Sequence, residues 1–355
     1  MKRRSFLKTV GGMAGTCVFG AQTLRGLDAV ASESMRQVTV GLPRRVLGRT
    51  GERISVVGFP GLALTHYDQA TCTTGLHKAF DQGMNYFDVA PAYGRDGDCE
   101  IKMGIGMQGI DRSGVFLACK TKMRDKEGAR LELERSLKRL KTDHFDLYQM
   151  HAIFTPEEVK QALGPGGAIE TFLKAKEEGK IRYFGFSAHT TKGALAALKG
   201  FRFDTAMFPI SFVDYYRMDF GKPVLELAAQ QGVAVLAIKA MSKGAWPPGA
   251  ERTRQWWYRT TETQDEVNLA VRFALSQKPV VAAIPPSFLD LLDKAVEAGR
   301  GFQPITRAET ARLRAMADES LSLFRGAEER VALGDSQRPS FGRHCPHHES
   351  SSYPV

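Results

Sequence analysis

Cysteine is scarce in this sequence, and its spacing does not fit a metal site. Five of the 355 residues are cysteines, and none forms a C-x-x-C pair. A zinc ribbon or an iron–sulfur framework uses such pairs, so neither is expected. An oxidising compartment would permit a disulfide, but the sequence specifies no pairing among Cys72, Cys99, Cys119 and Cys345.

The chain also lacks a long run of basic residues. Its formal net charge is +10. Residues 1–31 carry five basic side chains and one acidic side chain, a net +4, so the remainder keeps +6. Because this charge is spread along the chain, nucleic-acid binding has little support and no such partner is expected.

The N-terminal region contains a weakly apolar run that ends at Ala21. This run is too short and too rich in glycine to span a bilayer. It follows RRSFLK (3–8), which resembles the twin-arginine export signal. We therefore expect residues 1–31 to be a signal peptide, the export machinery to be a partner, and the protein to be periplasmic or otherwise exported. Cleavage after Ala31 and cleavage after Ala21 both fit the pattern.

Strand-like and helical segments alternate through the rest of the chain. The strand-like segments are short and nearly continuous in apolar character, as in parallel strands buried on both faces. Eight fit this description: 54–59, 86–90, 115–120, 145–151, 182–188, 203–210, 233–240 and 280–286. Amphipathic helices are predicted over 68–82, 126–140, 168–179, 219–231, 265–277 and 288–298. This alternation favours an α/β fold, a (β/α)8 TIM barrel over residues 44–300.

The barrel has one structural rival and three predicted additions. The rival is an open doubly wound sheet, but no Gly-x-Gly-x-x-Gly motif follows the first strand. Residues 44–55 predict an N-terminal β-hairpin that plugs the bottom of the barrel. Residues 301–335 are expected to form a C-terminal helical extension, with an amphipathic helix over 304–325. The polar tail 336–355 is expected to be mobile.

Four polar residues stand at or just beyond the ends of three consecutive predicted strands. Asp88, Lys120 and His151 lie at strand ends, and Tyr93 lies in the loop after Asp88. Active sites of such barrels lie at the carboxyl ends of the strands, so we expect the four to share a site. A free tyrosine has a pKa of about 10, and a nearby ammonium such as Lys120 lowers it. Tyr93 could then transfer a proton while His151 orients the substrate oxygen.

Each of these residues also has a structural interpretation when taken alone. An Asp–Lys pair across adjacent strands is commonly structural, a loop tyrosine usually packs, and a strand-end histidine is as often a core residue as a catalyst. Their joint placement on one rim favours catalysis. Together they would stabilise the alkoxide that forms when hydride reaches a carbonyl carbon.

Several motifs resemble those of the aldo-keto reductase family over nearly all of residues 44–300. They are LGRTGERISVVGFPG (47–61), FDVAPAYG (87–94) followed by Glu100, the LACK strand end (117–120), DLYQMH (146–151) and GFSAH (185–189). The resemblance implies that Asp88, Tyr93, Lys120 and His151 are catalytic, with Tyr93 as the proton donor. It also implies a nicotinamide cofactor, usually NADPH, bound extended over the strand ends.

The candidate cofactor-binding residues are Gly61, Ser187, Lys239 and Ser287, and some of them stand where the chain departs from the family pattern. Ser187 is followed by Ala188 in place of the family's asparagine. Lys239 could supply a phosphate contact, as could Lys243, or both could be solvated loop charges.

Two further departures concern the cofactor. Pro209 stands near the position of the usual glutamine, and Ile238 replaces an aromatic residue that often stacks on nicotinamide. After the eighth strand, Pro286-Ser287 and Leu291-Leu292 replace most of a cationic clamp for the adenosine phosphate. Losing two cations weakens selectivity for NADPH over NADH, so NADP(H) and NAD(H) both stay open as cofactors.

Aromatic residues in the predicted loop 253–260 are candidates for the substrate pocket. Trp256 and Trp257 could form an apolar lid over a carbonyl substrate, or they could pack the loop against the barrel. The tail carries His344, Cys345, His347 and His348, which could bind a metal. No fixed geometry supports that site, so a stray cluster is favoured and no metal is expected.

The leading functional hypothesis is an exported NAD(P)H-dependent oxidoreductase that reduces an aldehyde or ketone to an alcohol, with the proton from Tyr93. Its partner would be a small carbonyl substrate. Two alternatives stay open: a catalytically altered barrel that serves as a binding or regulatory module, and a non-redox lyase or isomerase that uses Tyr93 and Lys120. The sequence predicts neither the substrate nor the oligomeric state.

Overall fold

The computed structural model describes residues 41–335. The predicted signal peptide 1–31, the predicted mobile tail 336–355 and the His344–His348 cluster lie outside the described residues. Within residues 41–335, no helix is both long and apolar enough to cross a membrane.

The described part of the chain alternates strands with helices, as predicted. The strands are β1 (Arg44–Val46), β2 (Arg53–Ser55), β3 (Phe59–Pro60), β4 (Tyr86–Asp88), β5 (Phe116–Thr121), β6 (Phe145–Ile153), β7 (Ile181–Ala188), β8 (Thr205–Pro209), β9 (Ala234–Ile238), β10 (Ser242–Ala245), β11 (Tyr258–Thr260) and β12 (Val280–Ile284). The helices are α1 (Gln69–Asp81), α2 (Asp98–Gly106), α3 (Lys126–Leu140), α4 (Pro156–Leu163), α5 (Ala168–Glu177), α6 (Thr191–Gly200), α7 (Phe212–Met218), α8 (Lys222–Gln231), α9 (Gln264–Ser276), α10 (Leu289–Arg300), α11 (Arg307–Asp318) and α12 (Arg325–Ala332).

Eight parallel strands form the barrel. Their order is β12-β9-β8-β7-β6-β5-β4-β3, and a parallel bridge between Val57 and Ala283 brings the first and last strands together. The backbone amide of Gly58 also donates to the carbonyl of Ala283 at 3.1 Å. The strand residues are almost all buried, because helices cover the outside and side chains fill the inside. This arrangement confirms the predicted (β/α)8 barrel.

The segment before the barrel is the hairpin that the sequence predicts. Strands β1 and β2 pair antiparallel, and Gly51 takes a φ of +80° in the connection. Leu47 and Ile54 are fully buried in one cluster with barrel residues such as Tyr86, Phe116 and Leu236. The hairpin therefore contributes apolar side chains to one end of the barrel interior.

The segment predicted as one helix over 304–325 is divided in the structure. Helix α11 ends at Asp318 and α12 begins at Arg325, with a turn between them. The buried carboxylate of Asp214 in α7 accepts hydrogen bonds from Ser322 Oγ at 2.6 Å and from the Leu323 amide at 3.0 Å. These two hydrogen bonds, one from a side-chain hydroxyl and one from a backbone amide, hold the turn in place, and the amphipathic spacing of the sequence does not reveal them.

Candidate active site

Parallel pairing brings the candidate catalytic residues to one rim of the barrel. Asp88 is the last residue of β4 and pairs with Ala118 of β5, and Lys120 lies two residues further along β5. Lys120 in turn pairs with Gln149 of β6, two residues before His151. Because β-strand side chains alternate in direction, these positions share the inward face.

A tight turn after β4 returns Tyr93 to this rim. The Tyr93 amide donates to the Ala90 carbonyl at 3.0 Å, and Gly94 follows with a φ of +73°. A left-handed conformation at Gly94 costs little because glycine has no Cβ. The Tyr93 side chain is 7% exposed, so the turn buries most of the phenol ring.

Lys120 is the centre of the catalytic cluster. Its side chain is fully buried, and its ammonium forms an ion pair with Asp88 Oδ2. The same ammonium donates to Tyr93 Oη at 3.0 Å and to the Val89 carbonyl at 3.2 Å. One cation therefore connects a carboxylate and a phenol in a site removed from water.

Two residues that the sequence did not single out support Asp88. Tyr86 Oη donates to Asp88 Oδ1 at 3.3 Å, and Gln149 Nε2 donates to the same oxygen at 3.4 Å. Each lies two residues before a predicted catalytic residue on the same strand, Tyr86 before Asp88 and Gln149 before His151. The two-residue period of a strand is the signal that could have found them.

Burial dominates the proton affinity of the phenol. It raises the pKa of Tyr93 well above the ordinary value, and the neighbouring Asp88 carboxylate acts in the same direction. Burial also raises the pKa of Asp88, while Lys120 opposes that rise. The sequence-based expectation that Lys120 lowers the pKa of Tyr93 is therefore outweighed, and the phenol stays protonated at neutral pH.

His151 completes the rim beside Tyr93. The two rings meet edge to face, with centroids 5.5 Å apart and planes at 84°. Arg124 donates to the His151 backbone carbonyl at 2.7 Å. The next residue, Ala152, has a φ of +55°, and its amide donates to Ser187 Oγ at 2.7 Å. These contacts fix the end of β6 against the end of β7.

A single pocket joins the catalytic residues to most of the other candidates. Asp88, Tyr93 and His151 line it with the candidate cofactor residues Ser187, Lys239 and Ser287 and the candidate substrate residues Trp256 and Trp257. His189, Ile238 and Tyr258 also line it. His189 belongs to the GFSAH motif, but no pattern in the sequence assigns it a role.

Gly61 and Lys243 are placed differently. A Cβ at Gly61 would lie 2.2 Å from the Asp88 carbonyl oxygen, so the glycine allows the chain to approach the end of β4. Its cofactor contact stays a prediction. Lys243 pairs with Glu266 at 2.6 Å and lines a separate pocket with Trp246 and Arg259.

The aromatic loop both packs against the barrel rim and lines the pocket. Trp256 is 2% exposed and Trp257 6% exposed. Trp256 contacts the rings of His66 and Phe288, at centroid distances of 5.8 and 5.2 Å. Arg254 ties the loop to Asp290 of α10, with an Nη2–Oδ2 distance of 2.5 Å. The two interpretations of these tryptophans are therefore compatible.

The chain is similar in sequence and in fold to known proteins. Residues 60–316 match the sequence profile of the Aldo/keto reductase family. The uncharacterized oxidoreductase YqkF of Bacillus subtilis is 30% identical over 214 residues, which cover 57% of this chain and 65% of that protein. L-galactose dehydrogenase of Arabidopsis thaliana is 33% identical over 159 residues, 40% of this chain and 47% of that protein. The chain thus spans less than two thirds of the length of these curated relatives.

Solved structures show the same fold. The holo form of aldo-keto reductase AKR11C1 from Bacillus halodurans superposes with a TM-score of 0.63 at 24% identity, covering 79% of this chain and 98% of that chain. The family profile spans well over half of the chain and includes all four strand-end residues. This chain belongs to the aldo/keto reductase family.

Proposed function

We propose that this protein is an NAD(P)H-dependent oxidoreductase that reduces an aldehyde or ketone to an alcohol. The observation that carries the proposal is the hydrogen bond from Lys120 Nζ to Tyr93 Oη at 3.0 Å, with Asp88 bound to the same ammonium. Aldo-keto reductases in general use a nicotinamide cofactor, which supports the redox half of the proposal.

Tyr93 is the proposed proton donor. Because burial keeps the phenol protonated, Tyr93 can release its proton to the oxygen of a carbonyl group as negative charge develops there. The Lys120 ammonium then stabilises the phenolate through the hydrogen bond already in place. Asp88 balances the charge of Lys120 and fixes its position.

His151 is the proposed orienting group. Its ring lies against the edge of Tyr93 and lines the same pocket. A ring N–H there can donate to the carbonyl oxygen and hold it near the phenol. Trp256 and Trp257 exclude water from the pocket, which strengthens these polar interactions.

The pocket has donors that suit a nicotinamide nucleotide. Ser187 Oγ accepts a hydrogen bond from the Ala152 amide, so its own proton can be donated to a carboxamide oxygen. When bound, the reduced nicotinamide supplies the hydride that adds to the carbonyl carbon. The first turn of α10 carries Asp290 and no basic residue, so NADH is proposed to serve at least as well as NADPH.

The test is aldehyde-dependent oxidation of NADPH and of NADH by the purified protein, across aliphatic and aromatic aldehydes. The proposal expects stoichiometric loss of the reduced cofactor and formation of the alcohol. Absence of turnover, together with no binding of either cofactor on titration, would favour the binding-module alternative instead.

We further propose that the protein is exported through the twin-arginine pathway. The support is RRSFLK (3–8) and the apolar run that follows it. Since that pathway moves folded proteins, a cofactor bound in the cytoplasm can travel with the chain.

A further inference from the structure

The end of β9 buries a lysine in the candidate active-site pocket. Lys239 follows Ile238, the last residue of the strand, and is only 8% exposed. Its φ is +55°, in the left-handed region, and its carbonyl accepts from the Ser242 amide at 2.9 Å. Left-handed backbone at a non-glycine residue costs on the order of 1 kcal/mol or more, and such residues are concentrated at functional sites.

Two ring systems hold the Lys239 ammonium. Nζ lies 3.1 Å from His189 Nε2 and 4.9 Å from the centroid of the Trp257 ring. His189 is 4% exposed and stacks on Phe154, with centroids 5.3 Å apart. The imidazole is therefore fixed in position, and its Nε2 accepts a hydrogen bond from the ammonium. The ring of Trp257 adds a cation–π contact.

Other hydrogen-bond donors line the same pocket. The indole N–H of Trp256 is buried and has no hydrogen-bond partner among the described residues. Ser187 and Ser287 add hydroxyl groups. Among the described residues that line the pocket, Asp88 is the one carboxylate, and Lys120 holds it. The lining is therefore rich in donors and electropositive.

Packing alone does not account for a lysine at this place. A methionine fills a similar volume without the cost of removing an ammonium from water. Holding a cation beside an imidazole and an indole prepares a binding site for a negative group, because the cost of desolvation is met before the ligand arrives.

We propose that Lys239, positioned by His189 and Trp257, is an anion-binding subsite that takes a phosphate or carboxylate group of a bound ligand. The proposal rests on the proposed function in one respect, because the anion belongs to one of the two ligands of that reaction. It is either the diphosphate of the nicotinamide nucleotide or a carboxylate on the carbonyl substrate.

The test compares Lys239→Met with Lys239→Arg and with the control Lys243→Met. The control removes the same charge four residues away, outside this pocket. Dissociation constants for NADPH, NADH and nicotinamide riboside, which has no phosphate, are measured by titration. Values of kcat/KM are measured for succinic semialdehyde and for butanal, which has no carboxylate. Thermal unfolding checks that each variant folds.

If the anion is the diphosphate, Lys239→Met raises the dissociation constants of NADPH and NADH by roughly 10- to 100-fold and leaves that of nicotinamide riboside unchanged. If it is a substrate carboxylate, the preference for succinic semialdehyde over butanal falls by a similar factor and cofactor binding is unchanged. Lys239→Arg retains most of the affinity in either case. The proposal is overturned if every constant of folded Lys239→Met matches that of the wild type.

The role of His189 has its own readout. His189→Leu should raise the dissociation constant of the anionic ligand, and His189→Gln, whose amide oxygen can accept a hydrogen bond from the ammonium, should restore most of the affinity. Equal affinities for the two variants would remove the positioning role.

The proposed anion-binding subsite can be tested independently of the proposed reductase activity. If the protein reduces no aldehyde and binds no cofactor, inorganic pyrophosphate is titrated against wild type and Lys239→Met. Pyrophosphate binding that is lost in Lys239→Met would support the subsite even though the reductase proposal is wrong. Binding of equal strength to both proteins would overturn the subsite as well.

Discussion

Among single residues, Lys120 governs the chemistry proposed for Tyr93. Burial raises the pKa of the phenol, so the resting group is a weak acid that keeps its proton. The hydrogen bond from Lys120 gains strength when the phenol becomes negative, because the interaction then joins two charges in a site with little water. This hydrogen bond therefore offsets part of the cost that burial imposes on the phenolate, although burial prevails and keeps the resting phenol protonated.

The raised pKa predicts a pH profile. Reduction needs the protonated phenol, and a higher pKa moves the loss of that form to higher pH. We expect kcat/KM for carbonyl reduction to be flat from about pH 7 to about pH 9. The reverse oxidation of the alcohol needs the phenolate and should rise over the same range. A reductive rate that falls with an apparent pKa near 7 would contradict this assignment.

The sequence predicted Asp88, Lys120 and His151, because each is a polar residue at the end of an apolar strand, and it predicted the proposed acid in the loop that follows Asp88. It did not predict the support around them. Tyr86 and Gln149 look like core and strand residues until the register shows both reaching Asp88. His189 reaches Lys239 only because β7 and β9 end on the same rim, which is a tertiary relation. Local sequence patterns do not show which residues from different strands lie within hydrogen-bond distance of each other.

At the scale of elements, the C-terminal extension packs behind His189, a residue that lines the pocket. Helix α11 packs against α7, and Arg217 donates to the Asp318 carbonyl at 2.8 Å. The turn held by Asp214 then places Phe324 near the His189 ring, with centroids 6.2 Å apart. The alternation of strands and helices was predictable from apolar periodicity. The break between α11 and α12 was not predictable, because the carboxylate that holds the turn belongs to α7, a helix far away in the sequence.

The start of α11 offers a test of how this extension is stabilised. Thr306 and Glu309 form a capping box, and Arg272 donates to both Glu309 oxygens, at 2.5 and 3.0 Å. Thr306→Ala should lower the free energy of unfolding by about 1 kcal/mol, measured by urea denaturation. Thr306→Ser keeps the cap and should match wild type. Equal losses in the two variants would mean that the cap hydrogen bond does not stabilise α11.

Glu309 adds a pH dependence with a defined sign. These hydrogen bonds lower the pKa of its carboxyl to about 2. A lowered pKa in the folded state gives stability that is present above the ordinary pKa and lost as pH falls towards 2. The difference in free energy of unfolding between wild type and Glu309→Gln should therefore shrink as pH falls from about 5 to about 3. A difference that grows on acidification would contradict the assignment.

For the molecule as a whole, a reductase barrel is combined with a proposed export signal. Replacing Arg3 and Arg4 together by lysine should keep the protein in the cytoplasm, because the signal is defined by paired arginines. A matched control replaces the exposed Arg95 and Arg325 by lysine. Cell fractionation and immunoblotting measure the exported fraction. An unchanged exported fraction in the Arg3/Arg4 variant would argue against this pathway.

The central claim is that Tyr93 donates the proton in a nicotinamide-dependent carbonyl reduction. Its matched control is Tyr148→Phe, which removes a hydroxyl from another buried tyrosine, one that packs on Phe172 with ring centroids 5.0 Å apart. Both variants should fold and bind the reduced cofactor as wild type does.

The most direct measurement is the rate of cofactor oxidation in a single turnover, with enzyme, reduced cofactor and aldehyde mixed rapidly. Tyr93→Phe should lose roughly 10²- to 10⁴-fold in that rate while its cofactor dissociation constant is unchanged. Tyr148→Phe should retain the wild-type rate. A Tyr93→Phe protein that reduces the aldehyde as fast as the Tyr148→Phe control would contradict the account.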